Sequence, residues 1–150
     1  MSHSEFVTVM LSGQSFGIPI AAVHDILGDH RRTTVALASS DIAGVMNIRG
    51  RIVTAIDARR RLGREPEPGR STMNVVVQYK GEPYALVVDA VGEVRRVEDD
   101  AFEGNPPNID PRYAELCTGV YRLKDGLMAV IDVDRLVGGA NGVADDAATI

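Results

Sequence analysis

Tryptophan is absent from this 150-residue chain, aromatic residues make up only 5%, and cysteine occurs once, as Cys117. A single cysteine excludes an internal disulfide framework and suits a reducing compartment. The three histidines, His3, His24 and His30, have no metal-ligand spacing with one another or with Cys117, and no HExxH is present. No apolar run approaches the roughly 18 residues of a membrane span. The opening "MSHSEFVTVML" has neither a basic stretch nor a long apolar stretch, so a signal peptide and direct membrane insertion are not expected. The expected location is cytoplasmic, with any membrane association made through a partner.

Catalytic patterns are missing as well. The glycines form no GxxxxGK[ST], no GxGxxG after a strand and no GxSxG elbow, and "DVD" at 132–134 lacks the rest of a calcium loop. Neither a cofactor nor a metal is expected. The formal charge of -5 argues against general nucleic-acid binding. Arg49, Arg51, Arg59, Arg60, Arg61 and Arg64 nevertheless form a basic run, which keeps open a small barrel that grips phosphates. Against this stands the shortage of aromatics on which single strands stack.

What is present is a β-rich pattern that occurs twice. "FVTVML" and "FGIPI" flank a Ser-Gly turn region, and "MNVVVQY" and "YALVVDAV" flank Lys-Gly-Glu-Pro. Sliding the chain on itself by 68 positions places Val7, Val9 and Leu11 on Val75, Val77 and Tyr79, and Gly13 on Gly81. The same shift places Phe16 on Tyr84, Asp25 on Glu93 and Ile26 on Val94. A shift of 75 places Gly44-Val45 on Gly119-Val120, Ile56-Asp57 on Ile131-Asp132 and Gly63 on Gly138. The second copy therefore carries a longer loop, within 98–116. The expected organisation is one barrel over about 6–63, a linker over 64–72, a second barrel over about 73–138 and a flexible tail over 139–150. Small β modules of this size usually close on themselves and so remove exposed sheet edges.

The stretch "GVMNIRGRIVTAIDARRRLG" (44–63) is the most distinctive. It predicts a hairpin with Arg49-Gly50 at the turn, where glycine accepts positive φ. An arginine at such a tip is exposed on a fairly rigid backbone and can bind a carboxylate or phosphate. Asp57 and its counterpart Asp132 are placed to cap short helices. Because both copies carry that aspartate, architecture explains it better than catalysis does. The function left by elimination is binding to other proteins.

These residues resemble the CheW-like chemotaxis coupling family. "GVMNIRGRIVTAIDARRRLG" is similar to its Gly-Val-x-Asn-(Leu/Ile)-Arg-Gly signature and the strand and helix that follow. "FGIPIAAVHDIL", "ALVVDAVGEV" and "GLMAVIDVDRLV" are similar to its other segments, in order, over about 6–138. The resemblance implies a mainly β fold of two packed SH3-like five-stranded barrels with short helices. It implies a non-enzymatic adaptor that couples membrane chemoreceptors to the histidine kinase CheA, whose regulatory domain shares the fold. The implied partners are that domain and the cytoplasmic receptor tip. The implied contact residues are Arg49 with its neighbours Gly44, Asn47 and Gly50, Asp25 and Ile26 in an early strand, and Val87 and Val88 along a groove between barrels. Thr54 stands where proline is common, Ala58 where leucine is, and Asp25 where glutamate is; His24 beside Asp25 is unusual. An adaptor of the same fold for another signalling kinase is the alternative.

Overall fold

The computed structural model describes residues 2–36, 40–64 and 71–140. Most of the 64–72 linker and of the 139–150 tail lies outside the described residues. Among the described residues eleven strands, three short α-helices and two single turns of 3-10 helix follow in chain order. The first repeat holds β1 (His3–Leu11), β2 (Gln14–Pro19), β3 (Val23–Leu27), β4 (Ile42–Ile48), β5 (Arg51–Asp57) and α1 (Ala58–Arg61). The second holds β6 (Met73–Tyr79), β7 (Glu82–Val88), β8 (Ala90–Glu98), β9 (Phe102–Gly104), α2 (Pro111–Leu116), β10 (Cys117–Leu123), β11 (Gly126–Ile131) and α3 (Val133–Gly138).

The strands form two sheets, in the orders β8-β1-β2-β11-β10-β9 and β3-β6-β7-β5-β4. Each sheet therefore draws on both repeats. The first hairpin of each repeat pairs into the sheet that carries the last hairpin of the other, through the parallel contacts β2–β11 and β5–β7. The division at 6–63 and 73–138 thus describes the repeats in the chain, not the sheets in space. An exchange of equivalent hairpins leaves every local pattern unchanged, so periodicity carries no trace of it.

The two-residue turns Ser12-Gly13 and Lys80-Gly81 occupy the same place in each repeat and have positive φ at both positions. That conformation matches the twist of the flanking strands. Asp57 and Asp132 cap α1 and α3 as expected. Each side chain accepts a backbone N–H three residues on, from Arg60 at 3.2 Å and Arg135 at 3.1 Å. The segment 98–116, read from sequence as a loop, contains β9 and α2. The signal was there: Asp110 accepts the N–H of Arg112 at 2.9 Å and Pro111 opens the helix, an N-cap followed by proline.

Apolar residues collect in three places. The largest cluster lies between the sheets and includes Val9, Phe16, Ile18, Ile56, Val75, Leu86, Val88 and Leu136. Phe6, Val97, Tyr121, Met128 and Val130 form a cluster on the other side of the six-stranded sheet, and Met46, Val53, Ala55, Ala85 and Val87 do so for the five-stranded sheet. Alternate residues of one strand point to opposite faces. Strands buried on both faces read as continuous apolar runs, as in "VVV" (75–77) and "ALVV" (85–88). Ala58 is fully buried in the central cluster, which a larger side chain would have to displace. Cys117 packs there too, and burial, with Asp132 nearby, pushes its thiol up to about 11. At that value the thiol stays protonated at neutral pH and is a poor nucleophile.

A buried ion pair joins the two halves. Arg59 on α1 donates to both carboxylate oxygens of Asp89, at 3.0 and 3.2 Å, with side-chain exposures of 10% and 9%. Asp89 also accepts the N–H of Ser12 at 2.7 Å. One carboxylate therefore ties the β1–β2 turn, the end of β7 and α1 together. Arg61 donates from Nε to the Leu136 carbonyl at 2.9 Å, which links α1 to α3.

Candidate functional site

The residues singled out around Arg49 gather at one rim of the five-stranded sheet. β4 and β5 pair in register up to Ile48↔Arg51, leaving Arg49-Gly50 as a two-residue turn. Both turn residues have positive φ, 51° and 83°. Asn47 steadies the turn, its Oδ1 accepting the N–H of Gly50 at 3.0 Å. The Arg49 side chain is 77% exposed, and its Nη2 lies 2.9 Å from Oδ2 of Asp25. Asp25 stands on β3, the opposite edge of the same sheet. The sheet is therefore rolled until its edges meet, and this ion pair spans the seam. Oδ1 of Asp25 accepts the N–H of Ile26 at 2.8 Å, which fixes the carboxylate's aim.

The pair is a weak clasp. Exposed ion pairs contribute about 0–1 kcal/mol, because water competes for both charges. The clasp holds Arg49 in place without consuming it, so an incoming carboxylate can replace Asp25 at modest cost. Ile26 is 39% exposed on β3. Ile52, directly across the hairpin from Asn47, is 67% exposed. Sequence reasoning missed Ile52 because it begins an apolar run that reads as buried.

Gly44 belongs to the same motif but has a different task. It is buried at a bulge between Ile42 and Gly44, with φ 143°, and a Cβ there would stand 2.6 Å from the Thr33 carbonyl oxygen. Thr33 and Val45 exchange two backbone hydrogen bonds of 2.9 Å across this approach. Gly44 admits the loop after β3 against β4; it offers no contact surface.

Val87 and Val88 are corrected. They are 5% and 1% exposed, each packed into a core on one face of the sheet, so neither lines a groove open to a partner. The basic run is also corrected. Arg59 is buried on Asp89, Arg61 is bound to helix carbonyls and Arg64 to Tyr113, so the six arginines do not form one phosphate-binding patch. Among the described residues no group of three or more His, Cys, Asp or Glu is placed to hold a metal ion.

The second repeat has a clasp at the equivalent seam with its charges reversed. There the arginine is on the strand and the acid at the tip. Arg95 of β8 reaches Asp125 of the β10–β11 turn in a two-pronged contact of 2.8 and 3.3 Å. The hydrogen bond from Arg95, aided by one from Asp125's own backbone and by the arginine's charge, holds the Asp125 carboxyl below its ordinary value. An acid with a lowered pKa stabilises the fold above its unfolded value and loses that contribution as pH falls through the folded one. An NMR titration is expected to place Asp125 below an ordinary aspartate, and Arg95→Gln to return it there. An unshifted Asp125 in the parent protein would show that the clasp is open in solution.

A family model described as the CheW-like domain matches residues 5–140. The chain belongs to the CheW-like family. It is 27% identical to the chemotaxis protein CheW of Rhizobium meliloti over 131 residues, 87% of this chain and 84% of that one. It is equally identical to chemotaxis protein CheW of Klebsiella aerogenes, over 89% of this chain and 81% of that one. It also matches protein PilI of Pseudomonas aeruginosa, at 28% over 74% of this chain and 63% of that one. The crystal structure of the scaffolding protein TtCheW from Thermoanaerobacter tengcongensis superposes with a TM-score of 0.82 at 27% identity, covering 95% of this chain and 97% of that one. CheW-like proteins are non-catalytic adaptors and scaffolds of chemotaxis signalling, and this chain is one of them. Among the described residues no helix is long and apolar enough to cross a membrane.

Proposed function

We propose that this CheW-like protein couples the cytoplasmic tips of membrane chemoreceptors to the regulatory domain of the histidine kinase CheA, acting in the cytoplasm at receptor arrays. The observation that carries the reading is Arg49. It is a mostly exposed guanidinium on a two-residue turn, aimed by Asn47 and Asp25, within a fold matched along 5–140. A charge presented this way suits recognition of a partner's carboxylate more than it suits stability. Ile26 and Ile52 supply exposed apolar surface at the same sheet. The protein contributes contact alone: it binds two partners at once and passes a conformational bias from one to the other.

Co-sedimentation tests this directly. With receptor-containing membranes present, CheA is expected to pellet with this protein and to remain largely in the supernatant without it. Equal pelleting in both cases would remove the coupling role. A second reading, an adaptor of the same fold for another signalling kinase, is supported by the match to protein PilI. In that case a different co-purified kinase would replace CheA in the same assay.

A further inference from the structure

A cleft of about 580 Å³ opens between the segment after α1 and the six-stranded sheet. Its floor is the outer edge of the core at the buried Leu62, Val120 and Ala129, and its accessible apolar surface comes from Leu127 and the half-buried Ile109. Leu127 is 55% exposed, although it lies in a strand.

Two guanidiniums stand beside this apolar lining. Arg64 donates only to neutral oxygens, the Tyr113 hydroxyl at 2.5 and 3.0 Å and Gln14 Oε1 at 3.2 Å. It also lies over the Tyr113 ring, 5.8 Å from the centroid. Arg112 lies across Gly63, where any Cβ would strike its side chain. Among the described residues neither guanidinium has a carboxylate partner. Among the described lining residues the one acid is Asp110, whose carboxylate caps α2 through the Arg112 N–H. Two guanidiniums against one carboxylate give the described lining an excess of positive charge, in a chain whose formal charge is -5.

We propose that this cleft docks a segment of a protein partner in which a glutamate or aspartate is flanked by aliphatic side chains. The charge calls for a carboxylate, which a guanidinium grips with two parallel hydrogen bonds. Exposed Leu127 and half-buried Ile109 call for an aliphatic anchor beside it. The volume falls within the usual range of a binding pocket. None of the lining residues belongs to the Arg49 rim, so this is a second contact face and does not depend on the first.

The probe is a fluorescein-labelled helical peptide of leucine, glutamate and alanine, with a lysine-for-glutamate twin, followed by anisotropy. The glutamate peptide is expected to bind at least about tenfold more tightly than its twin. Leu127→Glu and Arg112→Glu, both at exposed positions, are each expected to weaken it by about tenfold or more. Arg122→Ala, which removes an exposed arginine outside the cleft, is expected to leave it unchanged, which separates docking in the cleft from general attraction to surface charge. Equal binding of the twins, no binding of either, or indifference to both substitutions would overturn the proposal. So would complete displacement by octanoate at equal concentration, which would make the cleft a small-carboxylate site.

Discussion

Replacing Arg59 with alanine is expected to cost about 3–5 kcal/mol of folding stability, the usual loss when one partner of a buried ion pair is removed. Asp89 would keep only the Ser12 N–H at 2.7 Å, while its carboxylate stays nine-tenths buried. A buried charge without its counter-charge pays the desolvation penalty with no Coulombic return. The loss should appear in urea as a lower midpoint with an unchanged slope. Replacing both partners by leucine should recover the part of it that belongs to the orphaned charge, leaving the smaller cost of an unpaired Ser12 N–H. A loss under about 1 kcal/mol would mean that water reaches the pair, as it does at surface ion pairs.

Gly44→Ala is expected to be the next most damaging change, at about 2–4 kcal/mol from backbone strain and overpacking together. Its φ of 143° is one that side-chain-bearing residues rarely adopt. The added Cβ would also meet the Thr33 carbonyl oxygen and carbon at 2.6 and 3.1 Å, both backbone atoms held by the Val45 hydrogen bonds. Gly50→Ala, six positions on in the same motif, is the control. Its φ is 83° but nothing lies within 4 Å of the added atom, so about 1 kcal/mol is expected. Thermal melts of the two variants side by side decide the matter. Equal losses would mean that the approach of Thr33 to Gly44 is not maintained in solution.

These glycines show how far the sequence could be read. The hairpin, its tip arginine and both capping aspartates followed from local rules, because turn chemistry and capping depend on a few adjacent residues. The duplication was visible because matching side chains recur at fixed shifts. Which hairpin joins which sheet was not visible, because equivalent hairpins carry equivalent patterns. In the sequence Arg59 is one charge in a basic run. Its partner lies thirty residues away at the end of β7, and only the packing of α1 against that strand brings them together. Val87 and Val88 were placed on a groove by resemblance, yet apolar residues adjacent in a strand signal burial on both faces. Ile52 is the reverse case, an apolar residue left exposed beside a hairpin tip. At the candidate site, Arg49, Asn47 and Asp25 converge in space, while Gly44 turns out to serve the backbone.

The most direct test of the coupling role is receptor-dependent CheA activity with the Arg49→Ala protein in place of the parent. The exposed clasp contributes about 1 kcal/mol at most, so circular dichroism and the urea midpoint should show an intact fold. With the fold intact, ternary assembly and receptor control of the kinase should both be lost. Full assembly and full kinase control by Arg49→Ala would contradict the assignment of Arg49 as the coupling residue.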